Sequence, residues 1–161
     1  MRILLITLVL AVIFQGCGQD KPTQQPPPAT SAAQPASATL PSIPKEKLEF
    51  LWNNCDNIDY VFYELPISMN VDNPDAIKNA LTHVASEPAP MLPQCKAIGR
   101  VFYLVKGENV VIADMYFSEG CTYYVFLEND KPVYANYLTP QAVQYFNSVF
   151  SQSGVRPEQL K

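Results

Sequence analysis

Four consecutive runs in the second half of the chain constrain its fold most. From Ala97 to Leu138 the sequence reads AIGRVFYLVK, VVIADMYFSE, CTYYVFLE and PVYANYL, separated by GEN, SEG and NDK. Aromatic and β-branched residues alternate with period two, and every separator carries Gly, Asn or Asp. That is the signature of antiparallel strands joined by short turns.

Which residues face the core depends on register, because a slip of one residue turns every side chain over. A three-residue loop at Gly107-Glu108-Asn109 sets Val101, Tyr103 and Val105 beside Met115, Ala113 and Val111. A two-residue loop would set Arg100 against Met115 and Val101 against Asp114, so the longer loop is expected. The same test at Ser118-Glu119-Gly120 places Phe117, Met115, Ala113 and Val111 beside Cys121, Tyr123, Val125 and Leu127. These residues form the expected core face. The other face then carries Phe102, Leu104, Ile112, Tyr116, Tyr124, Phe126 and Tyr134, interrupted by Arg100, Asp114, Thr122 and Asn136. Arg100 and Asp114 lie diagonally there, as a cross-strand ion pair would. Two readings stand open: a helix covers this face as a second core layer, or the face binds a partner. The candidate binding residues are Phe102, Tyr116, Tyr124, Phe126, Tyr134, Arg100 and Asp114.

Upstream, Leu48, Leu51, Trp52 and Cys55 recur at helical spacing behind Pro44, which predicts a helix over Pro44–Asn54. Ile58–Leu65 reads as a strand that Pro66 ends. Asn73-Pro74-Asp75 is a helix start, with a capping side chain, a first-turn proline and an acid at the positive dipole end. That helix is expected to reach about Ala85, burying Ile77, Leu81 and Val84 and leaving His83 exposed. Glu87–Gln94 reads as a loop. The strand-helix-strand unit from Ile58 to Lys106 is expected to cross right-handed, with its strands parallel. Thr139-Pro140 opens a last helix that buries Ala142, Val143, Phe146, Val149 and Phe150 and closes at Gly154. The order α-β-α-β-β-β-β-α describes a single α+β domain over residues 45–154, with a polar tail over 155–161. Its sheet is mixed, mostly antiparallel, of about five strands, and packed by helices.

The front of the chain is of another kind. Arg2 precedes an apolar run, Ile3–Phe14, broken only by Thr7. As a helix it would measure roughly 18 Å, against roughly 30 Å of hydrocarbon to cross, which suits a signal peptide over residues 1–16. The run ends in Phe14-Gln15-Gly16-Cys17, which resembles the lipobox of bacterial lipoproteins; Gly16 and Cys17 match the pattern. The resemblance implies a diacylglyceryl group on Cys17, a membrane anchor through that lipid and, since Gly18 is not Asp, the outer membrane of the cell envelope. Acyl chains of that kind satisfy the two-signal requirement for stable anchoring. Residues 19–44 are dominated by Pro, Gln, Ala, Ser and Thr without apolar periodicity, so residues 17–44 read as a lipidated cysteine and a disordered tether.

With Cys17 lipidated, Cys55, Cys95 and Cys121 remain in a compartment that oxidises thiols, which predicts one disulfide and one free thiol. Cys55-Asp-Asn-Ile58-Asp-Tyr-Val61-Phe62-Tyr63 echoes Cys95-Lys-Ala-Ile98-Gly-Arg-Val101-Phe102-Tyr103. If these strands are neighbours in parallel register, Cys55–Cys95 is the bridge; Cys95–Cys121 is the runner-up.

The chain carries 15 acids against 11 Lys and Arg, a net charge of −4, which argues against nucleic acid as a partner. His83 is the only histidine, so no His/Cys/acid cluster suggests a metal or a catalytic residue. No glycine-rich phosphate loop suggests a cofactor. The expected function is an envelope lipoprotein that presents a non-catalytic domain to a protein partner. The alternatives are a carrier of a small apolar ligand and a hydrolase of unknown type.

Overall fold

The computed structural model describes residues 38–160. The signal peptide, Cys17 and the tether up to residue 37 lie outside the described residues, as does Lys161. In chain order the elements are β1 (Ala38–Thr39), α1 (Lys45–Asn54), β2 (Asn57–Phe62), β3 (Ser68–Val71), α2 (Pro74–Leu81), β4 (Val84–Pro88), β5 (Pro90–Met91), β6 (Ala97–Val105), β7 (Glu108–Ser118), β8 (Cys121–Glu128), β9 (Lys131–Leu138) and α3 (Pro140–Gln152), followed by a 3₁₀ turn at Pro157–Leu160. The fold is α+β. One sheet has seven strands in the order β3-β2-β6-β7-β8-β9-β4, and β1 and β5 form a two-stranded ribbon.

The larger sheet is antiparallel throughout, with seven strands rather than about five. The expected parallel crossover is absent because the connection from β2 to β6 is not one helix. The chain turns back after Leu65-Pro66 into β3, crosses along α2 to the opposite edge as β4, and returns through β5. β2 and β6 therefore pair antiparallel, with Ile58 opposite Tyr103 and Val61 opposite Arg100. α2 stops at Leu81, not Ala85. Val84 prolongs the apolar spacing of Ile77 and Leu81, yet it belongs to an edge strand paired with Leu138.

Helix termini follow local chemistry. The Asn73 side chain accepts hydrogen bonds from the backbone N–H of Asp75 and Ala76 at 3.0 and 3.2 Å. Thr139 Oγ1 accepts from Ala142 N–H at 3.3 Å. Beyond α3, Gly154 takes φ +73°, and the Val155 N–H donates to Phe150 O at 2.9 Å. Val155 is buried and Leu160 packs against the core, while Arg156, Pro157 and Glu158 between them are exposed. Ile43 is buried as well, and the fold extends ahead of α1. Its N–H donates at 2.8 Å to Asn136 Oδ1, while Asn136 Nδ2 donates to Ala85 O. This buried amide ties the approach to α1, β4 and β9 together.

The main core lies between the helices and one face of the sheet. Ile58, Tyr60 and Phe62 of β2, Val101 and Tyr103 of β6, Ala113, Met115 and Phe117 of β7, and Tyr124 and Phe126 of β8 meet Leu51, Ile77, Leu81, Ala142, Phe146 and Phe150. The rings interlock at edge-to-face and tilted angles; Phe117 and Phe62 each lie 5.3 Å from Phe150. Trp52, expected inside, is 45 % exposed on α1, under the ammonium group of Lys78. The hydroxyls of Tyr103 and Tyr124 are buried without a protein partner, and burial pushes both phenols up in pKa.

His83 is not the exposed helical residue the spacing suggests. It sits in the turn after α2, 1 % exposed, with its imidazole against Tyr145 and Phe146 at ring distances of 5.1 and 5.7 Å. Neither ring nitrogen has a hydrogen-bond partner, and burial lowers its pKa below the ordinary 6.5. The unfolded chain therefore holds this proton more readily than the folded one. Stability is at its full value above about pH 6.5 and falls as the pH drops from there toward the lowered folded value, by up to about 1.4 kcal/mol per pH unit. Urea unfolding between pH 8 and 5.5 should show this slope, and His83→Leu should flatten it. An equal slope in the variant would assign it to other groups.

Candidate functional site

The second face of the sheet divides into a covered and an open half. Over β8 and β9 lies a second, smaller core in which Ala89, Cys121, Tyr123, Val125 and Ala135 are buried, with Leu40, Met91 and Cys95 packed against them. The cover is the chain from Ser86 to Cys95 together with β1. It is held by Ala89 N–H donating to Ala135 O at 3.0 Å, by Ala135 N–H donating to Pro41 O, and by the β1–β5 ribbon. A disulfide joins Cys95 to Cys121.

That bridge is the runner-up of the two expected. The favoured Cys55–Cys95 pair required β2 and β6 to be parallel. They are antiparallel, which sends Cys55 to the end of the sheet opposite Cys95. β6 and β8 flank β7 and run the same way, so Cys95 and Cys121 begin strands at a common end. Cys55 is a half-buried free thiol whose Sγ donates to Asn57 O at 3.3 Å; burial raises its pKa, which disfavours the nucleophilic thiolate.

The open half spans β3, β2, β6 and β7. Cross-strand registers arrange it in rows. One row runs Ser68, Val61, Arg100, Asp114 and then Val125 under the cover; the next runs Asn70, Asp59, Phe102, Ile112 and Leu127. Beside the first row, Tyr116 stacks on Tyr123 at 4.5 Å. Val61, in β2 between β3 and β6, is 47 % exposed, and Tyr63, just past the end of β2, is 54 % exposed.

Charge is concentrated at the centre of this half. Arg100 Nε donates to Asp114 Oδ1 at 2.8 Å, and Arg100 Nη1 donates to Asp130 Oδ1 at 3.2 Å. The hydrogen bond from Arg100 to Asp114 raises the guanidinium pKa further. Tyr63 Oη donates to the same Asp114 oxygen at 3.2 Å. Asn70 Nδ2 donates to Asp59 Oδ1 at 2.6 Å and to Asn57 Oδ1 at 2.9 Å. Asp130 stands in the β8–β9 turn, where Asn129 and Asp130 both take positive φ. Its contact with Arg100 joins this turn to β6, two strands away from β8.

Of the seven expected surface residues, the open face gathers four: Phe102, Tyr116, Arg100 and Asp114. Tyr124 and Phe126 are fully buried on the helix-covered side, with Tyr134 half-buried beside them. The reason is a single turn. The β7–β8 connection is the two-residue Glu119-Gly120 turn, with Ser118 opposite Cys121, and not a three-residue loop. That slip of one residue turns the whole of β8 over. The first hairpin also turns in two residues, Lys106-Gly107, both at positive φ. An extra residue at Val110 restores the expected facing, and it sets Arg100 directly opposite Asp114 rather than diagonal to it. The residues missed in sequence are Asp59, Val61, Tyr63 and Asp130. The alternation in β2 could have found the first three, since Asp59 shares its parity with Val61 and Tyr63.

Elsewhere, a cleft of about 810 Å³ opens at the end of the sheet between α3, the β7–β8 turn and the 3₁₀ turn, over Phe117, Cys121, Val143 and Leu160. Among the described residues, no three His, Cys, Asp or Glu side chains gather as metal ligands would. No described helix is long and apolar enough to cross a membrane. No family model, curated protein or solved structure matches this chain.

Proposed function

We propose that this protein is a lipid-anchored module of the bacterial cell envelope that binds a protein partner, without catalysing a reaction, through the open half of its sheet. The observation that carries the reading is the asymmetry of that face. One half is sealed by the chain's own cover, while the other leaves Val61 and Tyr63 exposed beside Phe102, Tyr116 and the Arg100–Asp114 pair. Apolar side chains around an ordered polar centre are what an interface core and its anchors require. The anchor rests on the lipobox resemblance at Cys17, and the Pro-rich segment behind it supplies reach from the membrane.

The test is the size of the complex extracted from native membranes in a mild detergent. Val61→Arg adds a charge at an exposed position opposite Arg100 and should cost no more than about 1 kcal/mol of folding stability. The wild-type chain is expected to migrate with its partner, and the variant at the size of the chain in its detergent micelle. Equal sizes would remove the open half as the binding surface.

A further inference from the structure

We infer that the occupant of the open half is an extended, basic segment of the protein partner. The inference rests on the reading above, and it names the chemistry of what binds there.

The covered half shows what kind of cover this sheet accepts. Ala89 is buried in the cluster of Tyr123, Val125 and Ala135 and Met91 packs against it, in a segment that leaves the edge strand β4 with the Ala89 N–H donating to Ala135 O and continues as the extended β5. No helix is used there. The open half continues the same face of the same sheet, and its outward positions recur along a strand as alternate residues, Asp59 and Val61 in β2 and Arg100 and Phe102 in β6, one charged and one apolar in each. An extended segment presents side chains at that same spacing.

Charge decides what else the segment carries. Arg100 is the only Lys or Arg in β2, β3, β6 and β7. Around it stand three carboxylates, Asp59, Asp114 and Asp130. Arg100 already meets two of them, and Asp59 is met by the neutral amide of Asn70. These four side chains sum to a net charge of minus two, and Glu64 and Lys96 beside Tyr63 offset each other. Asp130 is 82 % exposed, and a carboxylate keeps acceptor sites after one hydrogen bond. An incoming guanidinium or ammonium group therefore finds free acceptors beside an apolar floor, while an acidic surface is repelled. A second copy of this chain would bring the same acidic face. Charge matching of this kind sets association rate and partner choice, and it weakens with salt.

The test uses the full-length protein in isolated membranes, with a photo-crosslinking amino acid at Tyr63 and, as a control, at Phe50, which is exposed on α1. The crosslink at position 63 should join a peptide rich in Lys and Arg. Its yield should fall at least tenfold in the Asp59→Asn/Asp130→Asn double variant, which keeps side-chain shape and removes two charges, and also on raising salt to 0.5 M. A thermal melt matching wild type shows that the double variant is folded. A crosslink of undiminished yield, or one to an acidic peptide or to a second copy of this chain, overturns the basic segment and leaves the binding face standing. A yield at 63 no greater than at 50 overturns the binding face itself.

Discussion

Phe146→Ala is expected to lower the unfolding free energy by about 3–5 kcal/mol, the range for emptying a fully buried aromatic site. Phe146 is completely buried at the middle of α3. Its ring lies 5.7 Å from Tyr60, 5.7 Å from His83, 5.9 Å from Phe117 and 6.0 Å from Phe150. One side chain thus joins β2, the turn before β4, β7 and its own helix. Rings on four sides cannot all move in to fill the cavity, so relaxation recovers little of the loss. A small domain has about 5–15 kcal/mol in total, and the variant should lose a large share of it. Urea unfolding followed by tyrosine and tryptophan fluorescence measures the effect. A loss below about 1 kcal/mol would contradict the position of α3 in the core.

Replacing both bridged cysteines, Cys95→Ser with Cys121→Ser, should cost about 3–4 kcal/mol. The estimate is the chain-entropy value for a loop closed across 26 residues. A second result should accompany it and separates local loosening from general weakening. The bridge anchors the end of the cover, whose other ties are a few hydrogen bonds and the β1–β5 ribbon. Amide exchange should therefore quicken over Ser86–Gln94, while the centre of α3 exchanges only as global unfolding allows. Cys55→Ser, which breaks no bridge, should stay within about 1 kcal/mol of wild type. An unchanged midpoint in the double variant would show that the cover stands without its disulfide.

The parts of the fold that were legible in the sequence are those where local chemistry decides alone. Asn73-Pro74 and Thr139-Pro140 cap α2 and α3 as their side chains require, and the stripe of Ala142, Phe146 and Phe150 reads directly as the buried side of a helix. Period-two alternation located β6 to β9 within a residue or two. Facing was another matter. In β8 the two parities are Tyr123, Val125 and Leu127 against Tyr124 and Phe126. Both are apolar because the strand is covered on both sides, by helices and by the disulfide-tied segment. With no polar parity to mark the outside, only the turn length could decide, and Glu119-Gly120 against Ser118-Glu119-Gly120 is a difference of one residue. β3 and β4 escaped for a different reason. SMNV and VASEP are short edge strands with little apolar alternation, and their place comes from neighbours remote in sequence. The same remoteness hid the choice of bridge: the β6–β7–β8 hairpins bring Cys95 and Cys121 to one end, but the antiparallel placement of β2 that sends Cys55 to the other depends on the path through β3 and β4.

Half of the candidate site was visible for the same kind of reason. Arg100 and Asp114 interrupt apolar strands at positions that must face away from the core, and Phe102 and Tyr116 share their parity. Val61 and Tyr63 join them only because β2 lies antiparallel beside β6, which its own sequence does not disclose. Asp130 comes from the β8–β9 turn, and its contact with Arg100 joins residues 30 apart in the chain.

The most direct test of the binding face is the reactivity of a single cysteine placed at Val61, in a Cys55→Ser background, toward a membrane-impermeant maleimide. It would be measured on spheroplasts or opened envelopes and on the purified full-length protein, with Phe50→Cys in the same background as the control. If the open half is occupied in the envelope, position 61 should react at least tenfold more slowly there than in the purified protein, while position 50 reacts at the same rate in both. Equal rates at position 61 in the two preparations would mean that nothing covers this face where the protein works, and would contradict the account.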